Sequence, residues 1–247
     1  MSISFQLYSA RDFTPWTKVL DTLSSLGYAH VEGFGGVYAD PAQFAADLAA
    51  RGLSMPSGHF SIDMLENDFA KALEIARAFS MTKIYCPYLM PENRPTDLGG
   101  WRDFAARLAR VNEKLKAEGY AFGWHNHDFE LRPLADGSVP LAILLDAAPE
   151  IGWEADIAWV VRGGADPLDW VKRYGPRITA AHVKDIAPAG ECADEDGWAD
   201  VGHGVIDWKT ITAALKSAGC DLFIMEHDKP KDAERFASRS IAAFKSF

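Results

Sequence analysis

Gly152-Trp153-Glu154-Ala155-Asp156-Ile157, a helical run from Asp166-Pro167 to Tyr174, and Ile178-Thr179-Ala180-Ala181-His182-Val183-Lys184 read together as strand, helix, strand. The outer runs are short and largely apolar, as strands of a buried sheet are. Asp166 supplies an N-cap acceptor, and Pro167 fits the first helical position, where no N–H is needed. Strands joined by a crossover helix pair in parallel.

The same unit repeats along the chain. Further strands are expected at Ile3–Tyr8, His30–Phe34, Ser54–Ser61, Lys83–Leu89, Tyr120–Asn126 and Leu222–Asp228. Helical patterns occupy Trp16–Leu26, Pro41–Arg51, Phe69–Phe79, Trp101–Glu118, Leu141–Ala147, Trp208–Ala218 and Asp232–Phe247. Asp40-Pro41 repeats the cap chemistry of Asp166-Pro167. Gly27, Gly52, Gly119 and Gly219 each suit a left-handed helix end before a strand. Eight strands alternating with eight helices in 247 residues fit one (β/α)8 barrel, with a doubly wound open sheet as the rival. No linker divides the chain, so residues 1–247 are expected to form a single domain. The longest irregular stretch, Ala187–Gly204, follows the seventh strand, where a barrel enzyme carries an active-site loop.

Composition narrows the class. Apolar residues make up 48% of the chain, enough for a substantial core. A formal charge of −10 opposes a general binder of nucleic acid or anionic membrane. Three cysteines without a CxxC pair favour neither a disulfide framework nor a structural zinc site, and fit a reducing compartment. With no signal-peptide pattern and no membrane-length apolar run, a soluble cytoplasmic protein is expected.

In a barrel the chemistry sits at the C-terminal strand edge. Read in order, those edges carry Gln6 and Tyr8, Glu32, His59, Pro87-Tyr88, the run from Trp124 to Glu130, Glu154 and Asp156, His182 and Lys184, then Glu226 and His227. Asp156, His182 and Glu226 each follow an apolar run, where a carboxylate needs a charge partner or a metal. Two carboxylates and an imidazole from successive strands suit a divalent cation, with Glu130 as a fourth ligand.

His125-Asn126-His127-Asp128-Phe129-Glu130 resembles the H-N-H-x-F-E signature of the sugar phosphate isomerase/epimerase family, the xylose isomerase-like TIM barrels. Glu154-Ala155-Asp156-Ile157-Ala158-Trp159 with Gly163-Gly164-Ala165-Asp166-Pro167, His182-Val183-Lys184-Asp185, and Gly202-His203-Gly204 leading to Glu226-His227-Asp228 agree with it in order. So do Gln6–Asp12 and Gly27–Glu32. The resemblance implies one divalent ion (Mn, Mg, Co or Zn) held by Glu130, Asp156, His182 and Glu226. Some relatives carry the strand-five glutamate earlier, where this chain has Trp124 and His125, so His125 or His127 is the alternative to Glu130. His203 and His227 depart from the glutamate and glutamine common in the family. The endonuclease-like branch needs more His and Asp ligands than this chain matches.

Such a site suits a sugar hydroxyl and adjacent carbonyl, with a metal-stabilised enediolate as intermediate. Glu226 or Glu130 is the expected base, and His125 and His127 are acid/base groups. His59, Lys184, Gln6 and Glu32 are expected to touch substrate, with Trp124 and Trp159 as an apolar wall for a sugar ring. Arg94, Arg132 and Arg162 are available to pair a phosphate. The expectation is an isomerase or epimerase on a sugar, sugar phosphate or keto-sugar. The alternatives are an inosose dehydratase or keto-glycoside lyase, and a non-catalytic ligand-binding barrel. The partner is a small carbohydrate, and homo-oligomers are common for such barrels. No G-x-S-x-G elbow, GxGxxG or Walker A sequence is present.

Overall fold

The structure is a computed structural model that describes residues 2–247. The strands are β1 (Ser2–Gln6), β2 (His30–Gly33), β3 (Ser54–His59), β4 (Lys83–Cys86), β5 (Ala121–His125), β6 (Gly152–Asp156) and β7 (Ile178–Val183). After the short β8 (Asp185–Ile186) and β9 (Trp198–Ala199) comes β10 (Leu222–Met225). All but β8 and β9 pair in parallel and close a barrel in the order β1-β10-β7-β6-β5-β4-β3-β2. The barrel reading therefore holds over the open sheet.

The helices are α1 (Trp16–Ser25), α2 (Pro41–Ala49), α3 (Ile62–Asn67), α4 (Phe69–Ala78), α5 (Leu98–Ala117), α6 (Pro140–Ala147), α7 (Ile157–Arg162), α8 (Pro167–Tyr174), α9 (Trp208–Ser217) and α10 (Ala233–Phe244). Asp40 and Asp166 cap α2 and α8 by accepting from the Gln43 and Leu168 N–H groups at 3.0 and 2.8 Å. The four glycines expected at helix ends all have positive φ.

The strands end earlier than the apolar runs suggest. Gln6 accepts the Tyr8 N–H at 3.0 Å and turns Leu7–Ala10 into a 3-10 helix. Beyond Cys86, Pro87 has no N–H to donate to a ladder. The sequence pattern also omits α3, α7 and the β8–β9 hairpin. Ser61 caps α3 through the Met64 N–H at 3.2 Å, and Asp156 caps α7 through Trp159 at 2.9 Å.

Side chains alternate between two cores, as strand geometry requires. Phe5, Val31, Ile84, Trp124, Trp153, Val183 and Phe223 belong to the main core shared with helices such as α5 and α10. Tyr85, Ala180, Leu222 and Ile224 form a separate small cluster. There the Tyr85 hydroxyl meets Thr179 Oγ1 at 2.9 Å. Gly123 and Gly152 make room for it: a Cβ on Gly123 would lie 2.7 Å from the Gly152 carbonyl and 3.0 Å from the Tyr85 ring.

Candidate metal centre

Period-two alternation puts Glu154 and Asp156 on one face of β6, and His182 and Lys184 on one face at the end of β7. The side chains that converge form two tiers. In the deeper tier, His59 Nε2 lies 2.7 Å from Glu154 Oε2 and 3.2 Å from Glu32 Oε2. Ser57 Oγ donates to Glu32 Oε1 at 2.6 Å, and Gln6 Nε2 donates to Glu32 Oε2 at 2.8 Å. In the upper tier, Lys184 Nζ stands 3.0 Å from Asp156 Oδ2, 2.8 Å from Glu226 Oε2 and 3.1 Å from Asp228 Oδ2.

Two histidines span the tiers. His182 presents Nδ1 to Glu226 Oε2 at 2.8 Å and Nε2 to Glu32 Oε2 at 2.7 Å. His125 Nδ1 lies 3.1 Å from Glu154 Oε2. Glu32, Glu154, Asp156, His182 and Lys184 are all fully buried. Buried charge on this scale persists only when compensated.

The electrostatics separate the groups. Burial alone would raise the Glu226 carboxyl, but Lys184 and His182 outweigh it and hold Glu226 well below its ordinary range. Burial would lower His59, yet Glu32 and Glu154 raise it to about 9. His182 is likewise raised against burial, by Glu154, Glu226 and Glu32. His125 and His127 go the other way: burial lowers both, reinforced by His182 and Lys184 respectively, with His127 at about 3. Both are neutral imidazoles, the form that offers a lone pair.

Donor atoms of His125, Asp156, His182 and Glu226 lie within 4.8 Å of one another, all buried. The deeper His59, His125, Glu154 and His182 form a second such group. The upper set fits a divalent ion. It mixes imidazole nitrogen with carboxylate oxygen, and Asp156 Oδ2 is buried with no hydrogen-bond partner among the described residues, Lys184 lying outside bonding geometry.

Of the residues singled out in the sequence, Asp156, His182 and Glu226 come together, and His125 stands beside them. Glu130 does not join them. Its oxygens accept from Trp124 Nε1 and the His127 N–H, each at 2.9 Å. Trp124 is not part of a sugar wall either, because strand alternation turns it away from His125. Its indole packs edge-on against Phe104 of α5, with ring centroids 5.4 Å apart. Gln6 and Glu32 are fully buried beneath His182, and Lys184 is locked among three carboxylates.

His59, His127 and Trp159 line an open cleft of about 710 Å³ together with Tyr8, Tyr88, Glu226 and Asp228. His203 is exposed on its loop, and His227 is buried with Nδ1 accepting the Lys229 N–H at 3.1 Å. Glu154 is read from the sequence at the sixth strand edge and Asp228 within the Glu226-His227-Asp228 motif, but the sequence reading gives neither a role in the site. The signal for Glu154 was its spacing of two from Asp156.

The family model of the xylose isomerase-like TIM barrel matches residues 20–247. The chain belongs to this family. A search of the curated proteins gave no match. Among solved structures, a sugar phosphate isomerase/epimerase from Parabacteroides distasonis superposes with a TM-score of 0.81 at 20% identity, covering 98% of this chain and 92% of the other. The probable 3-DHS dehydratase AsbF of Bacillus anthracis gives 0.77 at 15% identity, covering 99% of both chains. The IolI protein, solved with a bound zinc atom, gives 0.79 at 15% identity, covering 100% of this chain and 96% of the other. At these identities the likeness is one of fold. No helix among the described residues is long and apolar enough to cross a membrane.

Proposed function

We propose that this barrel is a divalent-metal-dependent enzyme that moves a proton on the carbon next to a sugar carbonyl, as an isomerase or epimerase. The observation that carries the reading is the convergence of His125, Asp156 and His182, from β5, β6 and β7, with Glu226, directly after β10, within 4.8 Å at the strand ends. When bound there, a divalent ion would supply Lewis-acid polarisation of the substrate's oxygens.

The chain's own groups divide the remaining work. Glu226 reaches the cleft and is kept ionised by Lys184 and His182, so it is the base for the carbon-bound proton. His127 lines the same cleft as a neutral imidazole, and its Nδ1 lacks a hydrogen-bond partner among the described residues. It is the group to pass a proton at the neighbouring oxygen or carbon. Glu32 fixes the His182 ring from below through Nε2. Glu130, the other expected base, is held away from the cleft by Trp124.

Elemental analysis of the purified protein beside Asp156→Ala and Glu226→Ala tests the site. About one ion per chain in wild type, lost in both variants, supports it. A folded wild type that takes up no ion after metal is added back overturns it. A second reading, elimination of a β-substituent, draws on the fold shared with a probable dehydratase. The two chemistries part in D₂O: isomerisation or epimerisation puts deuterium on carbon without losing a group, whereas elimination releases one.

A further inference from the structure

The cleft is larger and more apolar than the chemistry at its floor requires. Its volume of about 710 Å³ lies in the upper part of the range for small-molecule sites. Above Glu226 and His59 the walls are Tyr8, Phe34, Phe60, Tyr88, Met90 and Trp159. Five large apolar side chains stand exposed among the described residues, and three of them are here: Tyr8 at 38%, Tyr88 at 38% and Met90 at 53%. An exposed apolar patch concentrated at the mouth of a polar site marks a binding surface.

The rings are also held in place. Tyr8 meets the edge of Phe34 at 5.4 Å, and the Arg11 guanidinium lies 3.9 Å from its ring centre. Tyr88 accepts from Arg94 Nη2 at 2.6 Å and packs edge-on to His127 at 5.0 Å. Pre-set rings lose little freedom when a ligand arrives.

The same cleft is poorly made for a phosphate. Its lining carries the carboxylates Glu226 and Asp228 and, deeper, the His59 imidazole paired with Glu154 and Glu32, and no Arg or Lys is among the described residues that line it. The arginines open to a phosphate role by sequence already have partners. Arg94 donates to the Leu89 carbonyl at 3.0 Å as well as to Tyr88, and lies 3.6 Å from the Phe129 ring centre. Arg132 pairs with Asp128. Arg162 donates to the Asp196 carbonyl at 2.7 Å and stacks 3.1 Å from the Trp198 ring centre.

We propose that the aromatic rim is a subsite for a flat apolar substituent, so that the substrate is an uncharged keto-sugar glycoside bearing an aromatic group rather than a phosphorylated sugar, its ring ketone supplying the carbonyl that a plain glycoside lacks. This rests on the carbohydrate reading of the floor. The glycosidic substituent points out between Tyr8 and Tyr88 while the sugar faces Glu226 and His127.

Calorimetric titration of the metal-supplemented protein with the methyl and phenyl β-glycosides of 3-ketoglucose and with glucose 6-phosphate, and with the galactose counterparts, tests it. In at least one series the phenyl glycoside is expected to bind tenfold or more tighter than the methyl glycoside, with the phosphate weakest. Tyr8→Ala and Tyr88→Ala, checked for folding by circular dichroism, are each expected to remove most of that gain, while Tyr88→Phe keeps it. Methyl glycosides that bind with no gain from phenyl, or phosphates that bind tightest, overturn this inference and leave the carbohydrate reading standing. Metal uptake with no sugar bound at all defeats the carbohydrate reading, and the inference with it.

Discussion

Glu130 is a carboxyl buried between an indole N–H and a backbone N–H, and its titration reaches the stability of the fold. Burial raises it to about 8 from an ordinary 4.5, against the downward pull of those two donors. Its folded value lies above its unfolded one, so the stability it gives is fully present below 4.5 and lost as pH rises through about 8. Wild type should therefore lose stability relative to Glu130→Gln over that window, with a slope approaching about 1.4 kcal/mol per pH unit. Urea unfolding at stepped pH measures it, and parallel curves would mean that the N–H donors win over burial. A second residue-scale prediction concerns Glu32, whose Oε2 holds His182 Nε2 at 2.7 Å and leaves Nδ1 facing Glu226. Glu32→Gln should weaken divalent-ion binding by roughly 10–100-fold, as loss of a carboxylate behind a ligating histidine does. Titration with Mn or Zn reads this directly, and unchanged affinity would make Glu32 a packing residue. At this scale, Asp156, His182 and Glu226 were legible because each is a polar group following an apolar strand. The depth of Glu32 and Glu154 was not, since period two gives a side chain's face but not its layer. The same period, applied to Trp124 and His125, separates the indole from the site.

At the scale of elements, the segment after β7 is organised around the Asp185 carboxylate. Asp185 accepts from the N–H groups of Ile186 and Gly202 at 2.9 Å each, and of Gly204 and Ile206 at 3.2 Å each. These bonds gather residues 186–206 over the upper tier, and they bring Trp198 against Trp159 with centroids 4.8 Å apart. Gly204 is required because a Cβ there would collide with the Asp185 carboxylate and the Ile186 carbonyl. Asp185→Ala is expected to cost about 3 kcal/mol, since hydrogen bonds to a charged acceptor contribute more than neutral ones. Both it and Gly204→Ala should speed proteolysis within residues 187–207 before the barrel unfolds. Cleavage no faster than in wild type would show that the segment is held by its other ties instead, the pairing of Glu195 and Asp200 with Arg235 foremost. The long elements were readable because each spans enough residues to show a period. The helices α3 and α7 have 6 residues each and the strands of the β8–β9 hairpin 2 each, too few to show one. Ser61 and Asp156 cap N–H groups three residues on without a helical period to announce the helix, and the distant partners of Asp185 meet it only in the folded chain.

At the scale of the molecule, the upper donor set takes its ligands from β5, β6 and β7 and from Glu226, the residue after β10, and these strands are consecutive around half of the closed barrel. The loops that separate these strands along the chain contribute none of the four. An ion held there would bind the folded barrel and not the dispersed segments of the unfolded chain, so its binding free energy is added to folding. At a free concentration 100 times its Kd, a divalent ion is expected to add about 2.7 kcal/mol of stability. For a chain of 247 residues this corresponds to a rise of ~5–10 °C in Tm. Chelation should reverse the rise, and neither Asp156→Ala nor Glu226→Ala should show it at the same ion concentration. Thermal unfolding followed by circular dichroism distinguishes the outcomes. A rise that persists in both variants would move the ion to the deeper group of His59, His125, Glu154 and His182, where Glu154→Gln would then abolish it. A wild type indifferent to every ion would leave Lys184, with His182 beside Glu226, to serve the three carboxylates.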